Sequence, residues 1–421
     1  MMDESTPELD ENKAAGPRKQ FHEHDAATLA KSAGMTTKQI NGPTEKFAYF
    51  EDGGRFMVIA GAQEKHTVEA AFARGLGLRG DRKLILVLPE RQCFATMQRA
   101  PWFKEDARPE IWSYGKSEPV KRMLRTREET EEEVRKRLKP GETLASELRK
   151  ATTAKHLGEG SEAVWHLVEW ATAEARLDPS HRKGERSWQC MGQRVLSITG
   201  TKSALKVRAG IHYGGANAPV PLQVSGTSAL TDIQVMQVRD AVEAGIEARL
   251  QGPPPIHKPD EHWLQAVIRR DPTLVGVEQP ALREFPAWRP RDGAKRLWGR
   301  GFIDLLGVDG HGDIRVVETK LASNADELLI FQGLDYYIWA RVYIDELRQR
   351  LSAHAEAQLE IHYVVGDDKH GKIRIAKHAP AQAHALEGVP WRFQSISDWY
   401  RHPDTAGQPT SELLGKWKLP T

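Results

Sequence analysis

The sequence contains little cysteine and no long apolar run. Only Cys93 and Cys190 occur among 421 residues, which excludes a disulfide framework or a CxxC metal site. The longest apolar stretches, FMVIAGA and LILVLP, are much shorter than the roughly 20 residues that span a bilayer, and the acidic beginning MMDESTPELDENK does not resemble a signal peptide. We therefore expect a cytoplasmic protein without a membrane partner.

A large excess of charge of one sign is also missing, because 60 basic residues stand against 58 acidic ones and leave a net charge of +2. Any binding of nucleic acid must then come from a local basic patch rather than from the field of the whole chain. Several enzyme signatures are absent as well. There is no HExxH or GxSxG, the segment GAQEKH lacks the glycine spacing of a dinucleotide site, and GTKS lacks the frame of a phosphate-binding loop.

The sequence does have enough apolar material for several cores. The apolar fraction is 39% and there are 12 Trp, so a soluble α/β protein of two or three domains is expected. The segments RFMVIAG, EKHTVEAAFARGLGLRG, RKLILVLP, ERQCFATMQRA and EIWSYG predict strand, helix, strand, helix, strand. The predicted organisation is a disordered leader at 1–40, a Rossmann-like α/β unit at 41–118, a helical connector with an α+β accessory region at 119–250, a proline-rich linker at 251–259 and a last domain at 260–421.

The most informative segment is GFIDLLGVDGHGDIRVVETK, residues 301–320. It predicts a hairpin whose strands, 301–308 and 314–320, are joined by the turn residues 309–313. A turn centred on His311 would place Asp304 opposite Glu318 on one face, and the alternation of a strand would place Lys320 on that face too.

Two carboxylates held close together in a half-buried site repel each other unless a cation lies between them. Mg²⁺ or Mn²⁺ is the expected cation, because these ions prefer oxygen ligands and keep waters that can be activated. Lys320 would then polarise the attacking water or neutralise charge on a phosphoryl group. The alternative is a solvated hairpin with a cross-strand salt bridge, which FIDLL and IRVVE are too apolar to favour.

Two helices are expected beside this hairpin. In PDEHWLQAVIRRDP, Asp260 is the expected N-cap, and Glu261 lies on the face of Leu264 and Ile268. In SNADELLIFQGLDYYIWARVYIDELRQRL, which we expect to begin at a Ser323 cap, Gln332 and Tyr336 are i, i+4 neighbours. Each also has a structural interpretation: Glu261 as a first-turn residue favoured by the helix dipole, and the other two as core residues.

The order and spacing of ID at 303–304 and ETK at 318–320 resemble the PD-(D/E)XK nuclease superfamily. Within it, residues 260–340 are similar to the catalytic domain of NucS-like endonucleases. The resemblance implies a C-terminal restriction-endonuclease-like α/β/α domain with a mixed sheet. It also implies that Asp304, Glu318 and Glu261 ligate Mg²⁺, with Glu261 alternatively acting as the general base. Lys320 would assist the attacking water, and Gln332 and Tyr336 would support the site or contact the nucleic-acid backbone.

A basic stretch, REFPAWRPRDGAKRLWGR, directly precedes the strand that carries Asp304. Its basic side chains would contact phosphates and its tryptophans would stack on an unpaired base or anchor the loop, although core packing is an alternative for each tryptophan. The candidate nucleic-acid-binding residues are Arg283, Trp288, Arg289, Arg291, Lys295, Arg296, Trp298 and Arg300.

The function expected from these features is that of a metal-dependent endonuclease acting on DNA rather than RNA, in restriction, repair or defence, with a homodimer as an open option. Two alternatives stay open. One is a nuclease-fold adaptor that binds nucleic acid or a partner without turnover. The other is an effector controlled by a ligand of the N-terminal α/β unit.

Overall fold

The computed structural model describes most of the chain. The residues it describes are 23–35, 38–39, 47–61, 65–115, 119–137, 162–182, 185–201, 204–211, 222–227, 230–251, 260–292, 297–321, 327–368, 371–373, 375–400 and 409–416. Within these ranges the fold is a mixed α/β arrangement with three β-sheets, of six, five and six strands.

Part of the predicted disordered leader is folded. Helix α1 spans Glu23–Ser32, and Ala26 and Ala30 are fully buried in a core with Ile59 and Val87. The prediction for 1–40 is wrong over this helix, because alanines four residues apart form a small apolar helix face that a polar composition conceals. Residues 1–22 lie outside the described ranges.

The first sheet has six strands in sequential order. They are β1 (Lys38–Gln39), β2 (Phe47–Asp52), β3 (Arg55–Ala60), β4 (Lys83–Pro89), β5 (Glu110–Tyr114) and β6 (Val120–Arg122). Strands β3, β4 and β5 run parallel and are joined by helices α2 (Lys65–Leu78) and α3 (Phe94–Arg99). Strand β2 pairs antiparallel with β3, and β6 pairs antiparallel with β5. The predicted strand, helix, strand, helix, strand order is therefore confirmed. Strands β3 and β4 are apolar without alternation because they are buried on both faces.

The second sheet is antiparallel, in the order β11-β10-β9-β8-β7. Its strands are β7 (Asp178–Arg182), β8 (Glu185–Cys190), β9 (Gln193–Thr201), β10 (Ala204–Ala209) and β11 (Leu222–Thr227). The predicted helices of this region are confirmed as α4 (Arg127–Arg137), α5 (Glu162–Ala173) and α6 (Asp232–Gln251). Residues 252–259, nearly all of the predicted linker, lie outside the described ranges.

The third sheet is mixed and has the order β12-β13-β14-β15-β16-β17. Its strands are β12 (Leu282–Pro290), β13 (Trp298–Val308), β14 (Ile314–Leu321), β15 (Leu359–Gly366), β16 (Trp391–Ser397) and β17 (Thr410–Lys416). Its helices are α7 (Glu261–Arg270), α8 (Leu329–Val342), α9 (Ile344–Leu351) and α10 (Ala379–His384). The predicted helix start at Ser323 is wrong, since α8 begins at Leu329, and residues 322–326 lie outside the described ranges.

Two hydrophobic cores hold the sheets together, one on each face of the third sheet. In β14, Val316 belongs to the core shared with α8 and the first sheet, and its neighbour Val317 to the core shared with α7 and the second sheet. The ring of Phe72 from α2 stacks on Phe331 from α8 at 5.0 Å. The domain boundaries predicted at 118 and 260 therefore do not coincide with boundaries between hydrophobic cores, because each core contains residues from both sides of at least one of them.

No helix within the described ranges is long and apolar enough to cross a membrane. The observed architecture is α/β with two mixed sheets and one antiparallel sheet. The finer names, Rossmann-like for the first unit and restriction-endonuclease-like for the last, stay predictions.

Candidate functional site

The β13–β14 hairpin has the predicted turn and the predicted register. Val308 pairs with Ile314 and Leu305 with Val317, so the hairpin is symmetric about His311. Asp309 fixes the turn by accepting hydrogen bonds from the backbone N–H groups of His311 and Asp313, both at 2.9 Å. This register opposes Asp304 to Glu318, but the backbone ladder ends one pair before them.

Asp304 lies at a local break in the sheet. Of the described residues 298–308, it alone is paired neither with β12 nor with β14. The β12 residue opposite it, Glu284, has a φ of +42°, a strained conformation for a residue with a side chain. The break frees the Asp304 backbone from the ladder and lets its side chain turn toward β14.

The side chain of Asp304 is held by Thr319. Its Oδ2 accepts hydrogen bonds from the backbone N–H of Thr319 at 2.8 Å and from the Thr319 hydroxyl at 2.6 Å. The same hydroxyl accepts a hydrogen bond from Nε2 of Gln265 on α7 at 3.1 Å. Burial raises the pKa of Asp304, while the charge of Lys320 and the Thr319 hydrogen bonds oppose this rise. Asp304 therefore contacts the residue next to Glu318, which modifies the predicted picture of two carboxylates side by side.

Glu318 is the most deeply buried carboxylate of the site, with 4% of the residue exposed. Burial raises its pKa well above the usual range, and the negative charge of Asp304 adds to the rise. Its Oε1 lies 3.3 Å from Nζ of Lys320. Its Oε2 is buried and has no hydrogen-bond partner among the described residues, and a buried oxygen of this kind is costly unless a cation or a donor satisfies it.

Lys320 connects the hairpin to helix α7. Its Nζ donates to Glu261 Oε1 at 3.1 Å as well as to Glu318. Glu261 is the first residue of α7, whose N-cap is Asp260, as predicted, with its side chain accepting from the N–H of Trp263. Burial disfavours the ammonium, but Glu318, Glu261 and Asp304 together overcome this and raise the pKa of Lys320. The lysine is therefore a permanent cation at neutral pH.

The predicted three-carboxylate metal site is not preassembled. Within the described ranges, no group of three or more His, Cys, Asp or Glu side chains is arranged to hold a metal ion, and Lys320 occupies the position between Glu261 and Glu318. The donor chemistry nevertheless fits Mg²⁺ or Mn²⁺. The unpartnered Oε2 of Glu318 and the half-buried carboxylate of Asp304 are hard oxygen donors, and Mg²⁺ in proteins is commonly bound by one or two carboxylates plus waters.

Tyr336 lies against the strand that carries Asp304. Its hydroxyl accepts a hydrogen bond from the backbone N–H of Phe302 at 3.2 Å, and the absence of a side chain at Gly301 permits this approach. Burial, aided by the charge of Glu318, raises the pKa of Tyr336, so it stays a neutral phenol. Gln332 lies one turn earlier on α8 and is half-buried, and its amide has no hydrogen bond to the part of the chain that is described.

The described part of the basic stretch forms strand β12 and the start of β13. Arg300 is exposed and lies over the ring of Phe302 at 5.1 Å, and Arg291 donates to the carbonyl of Arg300 at 2.6 Å. Arg289 is close enough to Tyr336 for its charge to lower that pKa. Arg283 instead donates to the carbonyl of Pro179 in the second sheet at 2.7 Å. Lys295 and Arg296 lie outside the described ranges.

The two tryptophans of this stretch differ. Trp298 is 7% exposed and meets Phe94 of α3 edge to face at 5.6 Å. It therefore anchors the start of β13 and is not free to stack on a base. Trp288 is only partly buried against the same core. The alternative of core packing thus holds for Trp298.

The sequence did not point to Thr319 or Gln265, which orient Asp304. Thr319 is the variable position of the ETK motif, and its role depends on the break opposite Glu284. The Thr319 hydroxyl and the Gln265 amide, four residues after Glu261, indicate a contact only once α7 and β14 are known to meet. Comparisons with protein-family models, with curated proteins and with solved structures found no match for this chain.

Proposed function

We propose that this protein is a metal-dependent nuclease that hydrolyses phosphodiester bonds, most directly a DNA endonuclease. The observation that carries the proposal is the buried, unpartnered Oε2 of Glu318 beside Asp304 and Lys320 at the end of one hairpin. A buried carboxylate that has a raised pKa and an oxygen without a hydrogen-bond donor is typical of a site that a cation completes.

In this proposal Asp304 and Glu318 hold Mg²⁺ or Mn²⁺. The bound ion supplies an activated water and neutralises charge on the phosphate. Thr319 and Gln265 keep the Asp304 carboxylate in one orientation, as partners behind a ligand commonly do. Glu261 would serve as a third ligand, as the general base, or as the residue that orients Lys320.

Lys320 acts as a cation rather than as a base, because its surrounding carboxylates hold it protonated. Its Nζ–H groups would donate to the attacking water or to a non-bridging phosphate oxygen, where negative charge increases in the transition state. Glu261 keeps the ammonium at this position. Tyr336 acts on the position of β13 through Phe302 rather than on the reacting atoms.

The nucleic acid would approach along the end of β12 and the start of β13. Arg289, Arg291 and Arg300 supply cations there, and their sequence-independent contacts with phosphates would dominate the affinity. Trp288 is the tryptophan left to meet a base.

A nuclease-fold adaptor without turnover is the second candidate. The bridging of Glu261 and Glu318 by Lys320 favours it, because the bridge offsets part of the negative charge of the site without any metal. The two candidates differ in whether metal changes the fate of the nucleic acid.

The test is a cleavage panel. The purified protein is incubated with single-stranded, duplex and branched DNA and with RNA, in Mg²⁺, in Mn²⁺ or in EDTA, beside Asp304→Ala and Lys320→Ala. Metal-dependent cleavage lost in both variants supports the nuclease. Metal-independent binding without cleavage on any substrate supports the adaptor.

A further inference from the structure

Helix α3 of the first sheet unit holds two elements of the candidate nuclease site, one at each end. Its first turn contacts Asp292, just after β12, and Trp298, at the start of β13, both in the basic stretch. Its last residue contacts helix α8, which carries Gln332 and Tyr336. Neither role was predicted, since the first unit was expected to recognise or sense the target from a separate domain.

At the first end, Asp292 anchors the end of β12. This residue is 0% exposed, and its Oδ1 accepts a hydrogen bond at 3.0 Å from the backbone N–H of Ala95. That N–H has no partner within its own helix, because the first N–H groups of any helix lie before the first intrahelical bond. Phe94 adds an edge-to-face contact with Trp298 at the start of β13. The two strand ends that carry Arg291 and Arg300 are therefore each tied to α3.

At the second end, Arg99 clamps α8. Its Nε and Nη2 donate to Oδ1 and Oδ2 of Asp335 at 2.8 and 2.7 Å, and Nη2 also lies 3.1 Å from Oε2 of Glu69. Arg99 and Asp335 are each 1% exposed. A bidentate pair fixes direction as well as distance, and Asp335 directly precedes Tyr336, whose hydroxyl contacts the strand of Asp304.

We infer that α3 is the positioning element of the nucleic-acid site, with Asp292 and Arg99 as its positioning residues. Asp292 holds the end of β12, and with it Arg291, in the position that meets the phosphates. Arg99 holds α8 against β13. This inference rests on the proposed function for the identity of the ligand, a nucleic-acid backbone, but not on cleavage.

The experiment measures binding apart from chemistry. All proteins carry Asp304→Ala, so that none cleaves, and the dissociation constant for a fluorescent DNA duplex and for a single strand is measured in EDTA by anisotropy. Addition of Asp292→Ala is expected to raise the dissociation constant about tenfold, as the loss of one or two phosphate contacts would. Asp292→Asn keeps the acceptor oxygen and is expected to restore it to within about twofold.

Asp271→Ala is the matched control, because the Asp271 carboxylate also accepts a hydrogen bond from a backbone N–H, that of Thr273 at 3.2 Å, and lies outside the candidate site. It is expected to leave the dissociation constant unchanged. Should Asp292→Ala fail to fold by circular dichroism, Phe94→Leu replaces it and is expected to raise the dissociation constant about threefold, in line with the loss of one aromatic contact.

Equal binding by the folded Asp292→Ala variant and its parent overturns the inference, as does a parent that binds no nucleic acid. Failure of the proposed chemistry looks different. In that case the protein with native Asp304 does not cleave in Mg²⁺, while the effect of Asp292→Ala on binding persists and supports the inference.

Discussion

Asp304 and Thr319 are joined by two hydrogen bonds, from the backbone N–H at 2.8 Å and from the hydroxyl at 2.6 Å, both to Oδ2. The link crosses from β13 to β14 where the ladder between them has ended. It fixes the Asp304 carboxylate relative to Glu318 and Lys320, the neighbours of Thr319 in the chain.

Thr319→Val should lower the cleavage rate about 10- to 100-fold, the usual effect of losing a partner behind a metal ligand. The hydroxyl bonds to Asp304 and Gln265 disappear, while the backbone bond stays. Stability should fall by about 1 kcal/mol in urea denaturation. Thr319→Ser keeps the hydroxyl and is the control. A valine variant as active as the serine variant would show that the hydroxyl does not orient Asp304.

Lys320→Met should destabilise the metal-free protein by about 3–5 kcal/mol, because it leaves the buried Glu318 without its cation. The double variant Glu318→Gln, Lys320→Met should recover most of this loss, since neither a buried charge nor its partner is then present. The free energy of unfolding from urea titration measures both. Equal destabilisation in the single and the double variant would contradict the coupling of the two residues.

Asp292→Asn should make stability less dependent on pH. Burial raises the pKa of Asp292 to about 6, from 3.8 for an unperturbed Asp. A raised acid pKa means that the folded state holds the proton more tightly, so the stability of the native protein falls as pH rises from about 4 to about 6. The difference between the two pKa values corresponds to a loss in the free energy of unfolding on the order of 3 kcal/mol over this pH range.

The asparagine variant has no carboxyl group to ionise at position 292 and stays neutral there at every pH. Its free energy of unfolding should therefore match the native protein near pH 3.5 and exceed it at pH 7. Denaturation curves at both values measure the difference. A gap between the two proteins that is the same at both pH values would contradict the role of Asp292 ionisation.

Gly301→Ala should displace Tyr336, because the added Cβ would lie 2.7 Å from its hydroxyl oxygen and 2.9 Å from Cε1. Overpacking of this kind costs about 1–3 kcal/mol, and the cleavage rate should fall as β13 shifts. Adding Tyr336→Phe removes the nearer atom and should recover part of the stability. Gly415→Ala, in an edge strand with open space around it, is the control. Thermal unfolding that is equal for both alanine variants would argue against the contact.

The hairpin could be predicted from the sequence because its determinants are local. The turn residues and the period-two pattern set the register around His311, and the N-cap of α7 follows from Asp260 standing before an apolar period. The break at Asp304 could not be predicted, since it depends on the conformation of Glu284 in another strand. Nor could the pair of Arg99 and Asp335, which are 236 residues apart and lie in segments that the sequence assigns to different domains.

The Lys320 bridge was missed for a different reason. Spacing placed Lys320 beside Glu318, but nothing local shows that Glu261 reaches the same ammonium rather than a metal. Which partner each carboxylate takes is decided by the meeting of α7 with β14, a tertiary contact.

Metal-dependent cleavage at Asp304 is measured by the single-turnover cleavage rate of the DNA substrate that the panel selects, in Mg²⁺, for the native protein, Asp304→Ala and Asp345→Ala. Asp345 is the control carboxylate, with 87% of its side chain exposed on α9. We expect cleavage that EDTA abolishes, a rate at least about a hundredfold lower in Asp304→Ala, and an unchanged rate in Asp345→Ala. Cleavage that persists in Asp304→Ala, or that proceeds in EDTA, would contradict this expectation.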